Sequence, residues 1–181
     1  MSALIEPVLA AALYAAEKHA QQKRKGVTGA PYVNHLLEVA HLIATNSDDA
    51  DTNLLVAALL HDVVEDTPVT IAEVEQRFGS DVAGLVAEVT DDKSLPKEKR
   101  KALQVQNAPK KSPRAQSIKV ADKISNLRSI ISSAPVEWSH ERKRQYFDWA
   151  KQVVDGLKDP NPKLKAEFDQ IYSQFDELVK P

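Results

Sequence analysis

Cysteine is absent from the 181-residue chain. That excludes disulfide scaffolds, thiolate zinc sites and cysteine nucleophiles. Glycine is scarce, with 5 residues against 23 alanines. Alanine is the best helix former and glycine among the poorest, so the composition favours a mainly α fold. Long apolar runs are missing as well. The runs Leu54–Leu60 and Val8–Ala16 both fall far short of the ~20 residues that a membrane span needs. The N-terminus, MSALIEPVLAAALYAAEKHA, has no basic leading segment and places Glu6 inside its apolar stretch. It reads as the start of a helix rather than a secretory signal, and a soluble, cytoplasmic protein is expected. Hydrophobic residues make up 43% and charged residues 28%, a balance that excludes a wholly disordered chain. At roughly 100–200 residues per domain, a single domain over 1–181 is expected.

The formal net charge of −2 conceals an asymmetry. Segment 93–114, KSLPKEKRKALQVQNAPKKSPR, holds eight Lys or Arg and one Glu, a net of +7. The other 159 residues carry 16 positive and 25 negative charges, a net of −9. A block of one sign in a chain of the other marks either a solvated helix and loop or a partner of opposite charge. Nucleic acid is not the expected partner, because the remaining surface would repel its phosphates.

Nearly every segment reads at helical period. Residues 7–24 carry Val8, Ala11, Ala12, Ala15 and Ala16 on one stripe, with Leu9 and Leu13 beside it. Gly26 and Gly29 break this helix, and Pro31 suits the first turn of the next, over 31–45. The string NSDDADTN is a loop and cap cluster. Residues 52–65 then form a helix that is apolar almost all round, the pattern of a central, buried helix. Further helices are expected over 71–78, where Thr70 and Glu73 form a capping box, and over 81–90, 96–107, 113–132, 140–157 and 163–179. No segment alternates like a strand, and no repeat is present.

The central helix ends abruptly in His61-Asp62, followed by Glu65-Asp66. Burying these groups is costly unless they are paired or bind a metal. In a continuous helix Glu65 lies one turn after His61, and Asp66 one turn after Asp62. His61 and Asp62 themselves diverge around the axis, so they converge only on an object at the helix edge. Two readings stay open at this point: a metal site, or a helix end with ordinary solvated charges and one satisfied histidine. His35, early in the preceding helix, and Asp122, an acid among the apolar positions of KVADKISNLR, complete a candidate set. Two imidazoles and two carboxylates suit Mn²⁺, Fe²⁺ or Zn²⁺ with open positions for water, and suit Ca²⁺ poorly.

The ordered strings ALYAAEKHAQQKRKG, PYVNH, AALLHDVVEDT and KVADKISNLR resemble the HD-domain hydrolases of the Rel/SpoT class. The tail EWSHERKRQYFDWAKQVVDGL is similar to that of the stand-alone small alarmone hydrolases of the metazoan SpoT-homolog type. The likeness runs from about residue 8 to residue 158. An HD pair alone is weakly informative; these strings in this order are specific.

The resemblance implies an all-α fold, a single HD-domain helical bundle of about eight to ten helices. It implies removal of pyrophosphate from the 3′ position of (p)ppGpp, giving GDP or GTP, with one Mn²⁺ as cofactor. By the same resemblance His35, His61, Asp62 and Asp122 match the metal ligands, and Glu65 and Asp66 the acidic pair that activates water. Arg24, Lys25, Asn126, Arg142 and Tyr146 match contacts to the guanine nucleotide substrate. Lys97, with Lys99, Arg100 and Lys101, would make the basic segment a phosphate-attracting rim. Lys123 and Ser125 depart from the Arg and His usual after the metal-binding Asp, and Ala20 stands where a basic residue is common. These departures bear on base recognition rather than on the metal. Neither a nucleic-acid nor a membrane partner is implied. Two alternatives are a phosphatase acting on another nucleotide, such as the 2′-phosphate of NADPH, and a non-catalytic nucleotide-binding regulatory domain.

The remaining aromatic and histidine residues are expected to be structural. His19 hydrogen-bonds near the Arg24 turn, Tyr32 packs beneath His35, Trp138 and Trp149 are core or pocket wall, His41 is structural or exposed, and His140 faces solvent.

Overall fold

The computed structural model describes residues 2–48 and 51–179. Eleven α-helical segments follow one another: α1 (Ser2–Lys18), α2 (Val33–Asn46), α3 (Thr52–Leu60), α4 (Val63–Asp66), α5 (Ile71–Phe78), α6 (Ser80–Val89), α7 (Lys97–Asn107), α8 (Pro113–Ser133), α9 (His140–Asp155), α10 (Pro162–Ser173) and α11 (Phe175–Leu178). A 3₁₀ turn, Ala108–Lys110, joins α7 to α8. Nine of the eleven are eight residues or longer; α4 and α11 are single four-residue turns. The fold is all-α, and the described residues form no strand, only one isolated bridge between Lys23 and Pro31.

Local chemistry sets the boundaries. Asp51 caps α3 by accepting the Leu54 N–H, Ser112 caps α8 through Ala115, and Ser139 caps α9 through Arg142. Asn161 accepts from Lys163 and Leu164 ahead of Pro162 at the start of α10. Thr70 caps α5, but the capping box is only half made. The Glu73 carboxylate accepts the Tyr14 hydroxyl at 2.7 Å rather than reaching back to its own helix start.

Three expected helices are corrected, the last being that over 163–179, which is interrupted at Gln174 between α10 and α11. The first ends at Lys18, not near residue 24. Beyond it the apolar stripe runs out, and residues 22–32 fold back as a short hairpin. The Arg24 N–H donates to Ala30 O and the Tyr32 N–H to Gln22 O. Gly29 turns this hairpin at φ +54°, and Gly26 lies so close to α8 that a Cβ there would sit 2.1 Å from Ser133 O. The second correction is at the central helix, which breaks at His61-Asp62 into α3 and α4. The Asp66 N–H still reaches Asp62 O at 2.8 Å, so the chain reforms a helical turn at once.

One hydrophobic core gathers residues from α1 to α11 and their connections. α3 packs against α1, α2 and α6, and α8 packs against α2, α6, α9 and α10. α3 buries Leu54, Val56, Ala57, Ala58, Leu59 and Leu60, covering almost its whole circumference. α8 buries every residue from Ala115 to Ser125, polar ones included. These two central helices carry the site, α3 at its C-terminal end and α8 at its middle.

Candidate metal and nucleotide site

Helix packing brings four groups from three separate parts of the chain to one point. His35 comes from the first turn of α2, His61 and Asp62 from the α3–α4 break, and Asp122 from the middle of α8. His35 Nε2 lies 3.5 Å from Asp62 Oδ2 and 3.3 Å from Asp122 Oδ1. His61 Nε2 lies 3.1 Å from Asp62 Oδ2 and 3.9 Å from Asp122 Oδ1. His35, His61 and Asp62 form a group able to hold a metal ion, with ligand atoms all within 4.8 Å of one another. His61 and Asp62 keep near-helical backbone, φ −58° ψ −29° and φ −101° ψ −4°, so the two adjacent side chains meet at the helix edge.

The imidazole tautomers follow from the outer bonds. His61 Nδ1 donates to Ala58 O at 2.7 Å, which leaves Nε2 with its lone pair. Ser125 Oγ donates to Glu38 Oε2 at 2.7 Å and therefore accepts from His35 Nδ1 at 2.8 Å, so His35 Nε2 is bare too. His61 Nε2 is buried without a hydrogen-bond partner. Two imidazole lone pairs thus face two carboxylate oxygens. Such a cluster demands a positive charge at its centre, and outer-shell bonds of this kind are what orient metal-binding histidines. Burial lowers the pKa of His61, but the carboxylates of Asp62 and Asp122 overturn it and raise it to about 9, so without an ion a proton on Nε2 supplies that charge. Burial likewise opposes ionisation of Asp62 and Asp122. His61 and His35 beside Asp62, and Lys123 and His35 beside Asp122, nonetheless hold both carboxyls well below their ordinary range.

The carboxylates are held from outside as well. The Tyr32 hydroxyl donates to Asp62 Oδ2 at 2.7 Å, and burial with the neighbouring Asp62 charge pushes its pKa far up. Asn126 Nδ2 donates to Asp122 Oδ1 at 2.6 Å, and Lys123 Nζ to Asp122 Oδ2 at 2.9 Å. Arg24 Nη1 donates in turn to Asn126 Oδ1 at 3.2 Å. Arg24 and Asn126, both nucleotide candidates, therefore meet at the edge of the metal cluster.

Glu65 and Asp66 lie on α4 and are half-buried. Glu65 Oε2 accepts the Asp91 N–H at 3.2 Å, and Arg100 Nη1 stands 3.5 Å from Oε1. Burial and the charges of Asp62 and Asp91 raise the Glu65 pKa. Asp66 Oδ2 accepts from Gln22 Nε2 at 2.7 Å, while Oδ1 pairs with Lys93. Gln22 is itself fixed by His19, whose Nδ1 meets Gln22 Oε1 at 2.6 Å.

The nucleotide candidates divide. Tyr146 sits between Trp138 and Trp149, with ring centroids 5.8 and 5.3 Å away, and burial raises its pKa to about 12. Arg142 is exposed and lies 4.7 Å over the Trp138 ring. Lys25 and Lys97 are exposed and make no hydrogen bond or ion pair among the described residues. The basic segment is not a uniform rim. Lys93 and Arg100 engage the acidic pair, Arg114 forks onto Asp81 at 2.9 and 2.8 Å, and Lys111 donates to Glu88 O.

Sequence reasoning missed Gln22, Lys93 and the Glu38–Ser125–His35 chain, since nothing in local spacing pairs residues this far apart. Tyr32 does pack edge-on against His35, and its bond to Asp62 is additional. His19 is buried and structural, His41 is exposed, and Trp138 and Trp149 pack half-buried against the core, as expected. His140 is corrected: it is half-buried against Phe175, with Nε2 3.1 Å from Val179 O.

A helical bundle whose central helix ends in a His-Asp pair facing a second histidine and a second aspartate defines a class. The model of the HD domain matches residues 11–150, and the chain belongs to the HD-domain family. Within it, the chain is 52% identical over 161 residues to guanosine-3′,5′-bis(diphosphate) 3′-pyrophosphohydrolase MESH1 of Drosophila melanogaster, covering 89% of this chain and 90% of that one. The protein of the same name from Homo sapiens is 48% identical over 167 residues, covering 92% and 93%. A solved structure of a metazoan ortholog of SpoT that hydrolyzes ppGpp superposes with a TM-score of 0.90 at 49% identity, covering 94% of this chain and 96% of that chain.

Proposed function

We propose that this chain is a metal-dependent hydrolase that removes the 3′-pyrophosphate of (p)ppGpp, built as one catalytic domain over 1–181. The observation that carries the reading is the convergence of two imidazole Nε2 atoms and two carboxylates on one buried point. His35, His61, Asp62 and Asp122 would hold the ion, and the mixed nitrogen and oxygen set suits Mn²⁺. Such an ion makes bound water acidic enough to supply hydroxide at neutral pH and polarises a phosphoryl oxygen.

The chain's own residues do the rest. Glu65, with its pKa raised and Oε2 anchored on the Asp91 N–H, accepts a proton from the attacking water. Asp66, held between Gln22 and Lys93, orients that water. Arg24, supported by Asn126, places a fork at the edge of the cluster for a phosphate of the substrate. Lys25, Lys97 and Arg142 supply exposed positive charge at the mouth, and Tyr146 lines the nucleoside wall. A cytoplasmic location is supported by the absence of cysteine and of any described helix long and apolar enough to cross a membrane.

The test is pyrophosphate release from ppGpp with and without added Mn²⁺, run beside phosphate release from NADPH. Metal-dependent release from ppGpp at the higher kcat/KM is expected. A higher kcat/KM for NADPH would replace the substrate while leaving the metal chemistry in place.

A further inference from the structure

A second cavity of about 230 Å³ lies between α7, α8, α9 and the segment after α6, lined by none of the metal-cluster residues. It is smaller than the ~300–1,000 Å³ of pockets that hold drug-sized ligands, a size that suits a small ion. Its lining is charged, with Arg100, Lys111 and Lys119 facing Asp91 and Asp92.

Arg100 has Glu65 as a counter-charge, but the two lysines have none. Lys119 is 8% exposed, and its ammonium donates to Val89 O at 2.8 Å. Lys111 donates to the neighbouring carbonyl, Glu88 O. Neither lysine has a carboxylate within ion-pair distance among the described residues, and burial lowers both pKa values. The carboxylates of the cavity are already engaged. Asp91 accepts Gln104 Nε2 at 2.5 Å, and Asp92 accepts the N–H and hydroxyl of Ser94. A buried ammonium such as that of Lys119, or a half-buried one such as that of Lys111, held only by a carbonyl is costly unless an anion joins it.

Two further buried atoms have no partner. Arg100 Nε is a donor, and Gln104 Oε1 is an acceptor. The orientation of the Gln104 amide is fixed by Asp91, which must receive Nε2. The two lysines, the Arg100 donor and the Gln104 acceptor together match a small ligand with several anionic oxygens and one O–H. At neutral pH orthophosphate carries both; sulfate carries no O–H.

We propose that this cavity binds one hydrogen-phosphate ion, received by Lys111, Lys119 and Arg100 Nε, with its O–H donated to Gln104 Oε1. The site borders the acidic pair without belonging to it, since Arg100 also reaches Glu65. It stands whatever the substrate of the metal cluster is.

The test is calorimetric titration of the metal-loaded protein with inorganic phosphate and with sulfate, joined to a crystal structure grown in phosphate. One phosphate is expected among Lys111, Lys119 and Arg100. Sulfate should bind about tenfold more weakly, and Lys119→Met or Lys111→Gln should each weaken phosphate about tenfold or more, the loss of one charge-assisted bond. Circular dichroism checks folding. If Lys119→Met does not fold, Lys111→Gln, at a half-buried position, decides. Water alone in the cavity, phosphate bound only beside His35 and Asp62, equal binding of sulfate, or unchanged affinity in Lys111→Gln overturns the proposal.

Discussion

Helices α3 and α8 are both buried, and they reach burial by opposite chemistry. α3 does it with leucine, alanine and valine, so after Thr52 and Asn53 in its first turn polar residues return only where the helix ends, at His61 and Asp62. α8 buries Gln116, Ser117, Lys119, Asp122, Lys123 and Ser125 in its interior. Each of these has a partner: Asp122 has Lys123 and Asn126, Ser125 has His35 and Glu38, and Lys119 has Val89 O. A helix can thus be central without being apolar, provided its polar groups satisfy one another across the packing interface. The comparison separates two costs. On α3 the polar end serves the site, whereas on α8 the same side chains serve both the site and the fold.

The largest effect tests that double role. Asp122→Ala should abolish metal-dependent turnover and also destabilise the fold, because Lys123 is left buried without its carboxylate. Breaking a buried pair on one side costs on the order of 3–5 kcal/mol. Metal content and thermal unfolding, measured together, check this. Full activity in the variant removes Asp122 from the ligand set, and an unchanged melting temperature removes the structural half of the comparison.

Glu65→Gln comes next. Its carboxyl lies just beyond the end of α3, where polar groups serve chemistry more than packing. The amide keeps the shape but cannot take a proton, so kcat should fall by ~10²–10⁴ with little change in KM or stability. A rise in KM alone would move Glu65 from proton transfer to substrate binding.

Much of this division was legible in the sequence, and the exceptions have physical causes. The abrupt end of an apolar run at His61-Asp62 marks the site because α3 has no other polar interior position. Helix starts at Ser112, Ser139 and Pro162 are legible because capping is local chemistry. The break between α3 and α4 is not, since the Asp66–Asp62 bond keeps the helical period across it. Nor is the end of α1 at Lys18, because the glycines that shape the hairpin over 22–32, Gly26 and Gly29, stand several residues further on. The basic block misleads for another reason. Charge counting cannot tell that Arg114 is committed to Asp81, or Lys93 to Asp66, because those partners are distant in the chain.

A smaller effect sharpens the α8 side of the comparison. Ser125→Ala cuts the link from Glu38 to His35 while leaving every proposed ligand in place. Loss of such an outer-shell bond typically costs 10–100-fold in metal affinity. Metal titration should show that loss, with activity restored at saturating Mn²⁺. A variant that binds metal as tightly as the wild type would show that packing alone orients His35.

The smallest effect concerns charge that neither central helix uses. Lys97 and Lys99 are exposed on α7 and pair with nothing among the described residues, unlike Arg100, which reaches Glu65. Their contribution is therefore long-range attraction of a highly charged substrate rather than a fixed contact. Changing both to Gln should lower kcat/KM for ppGpp several-fold at low salt, more than for a singly phosphorylated nucleotide. The difference should shrink as ionic strength rises, because screening shortens to ~8 Å at physiological salt. Stability should hardly move, since exposed charges of this kind contribute on the order of tenths of a kcal/mol. A salt series of kcat/KM for both substrates, on wild type and the double variant, is the measurement. Equal losses for the two substrates, or a loss that ignores salt, would place these lysines in direct contact with the nucleotide or return α7 to a solvated face.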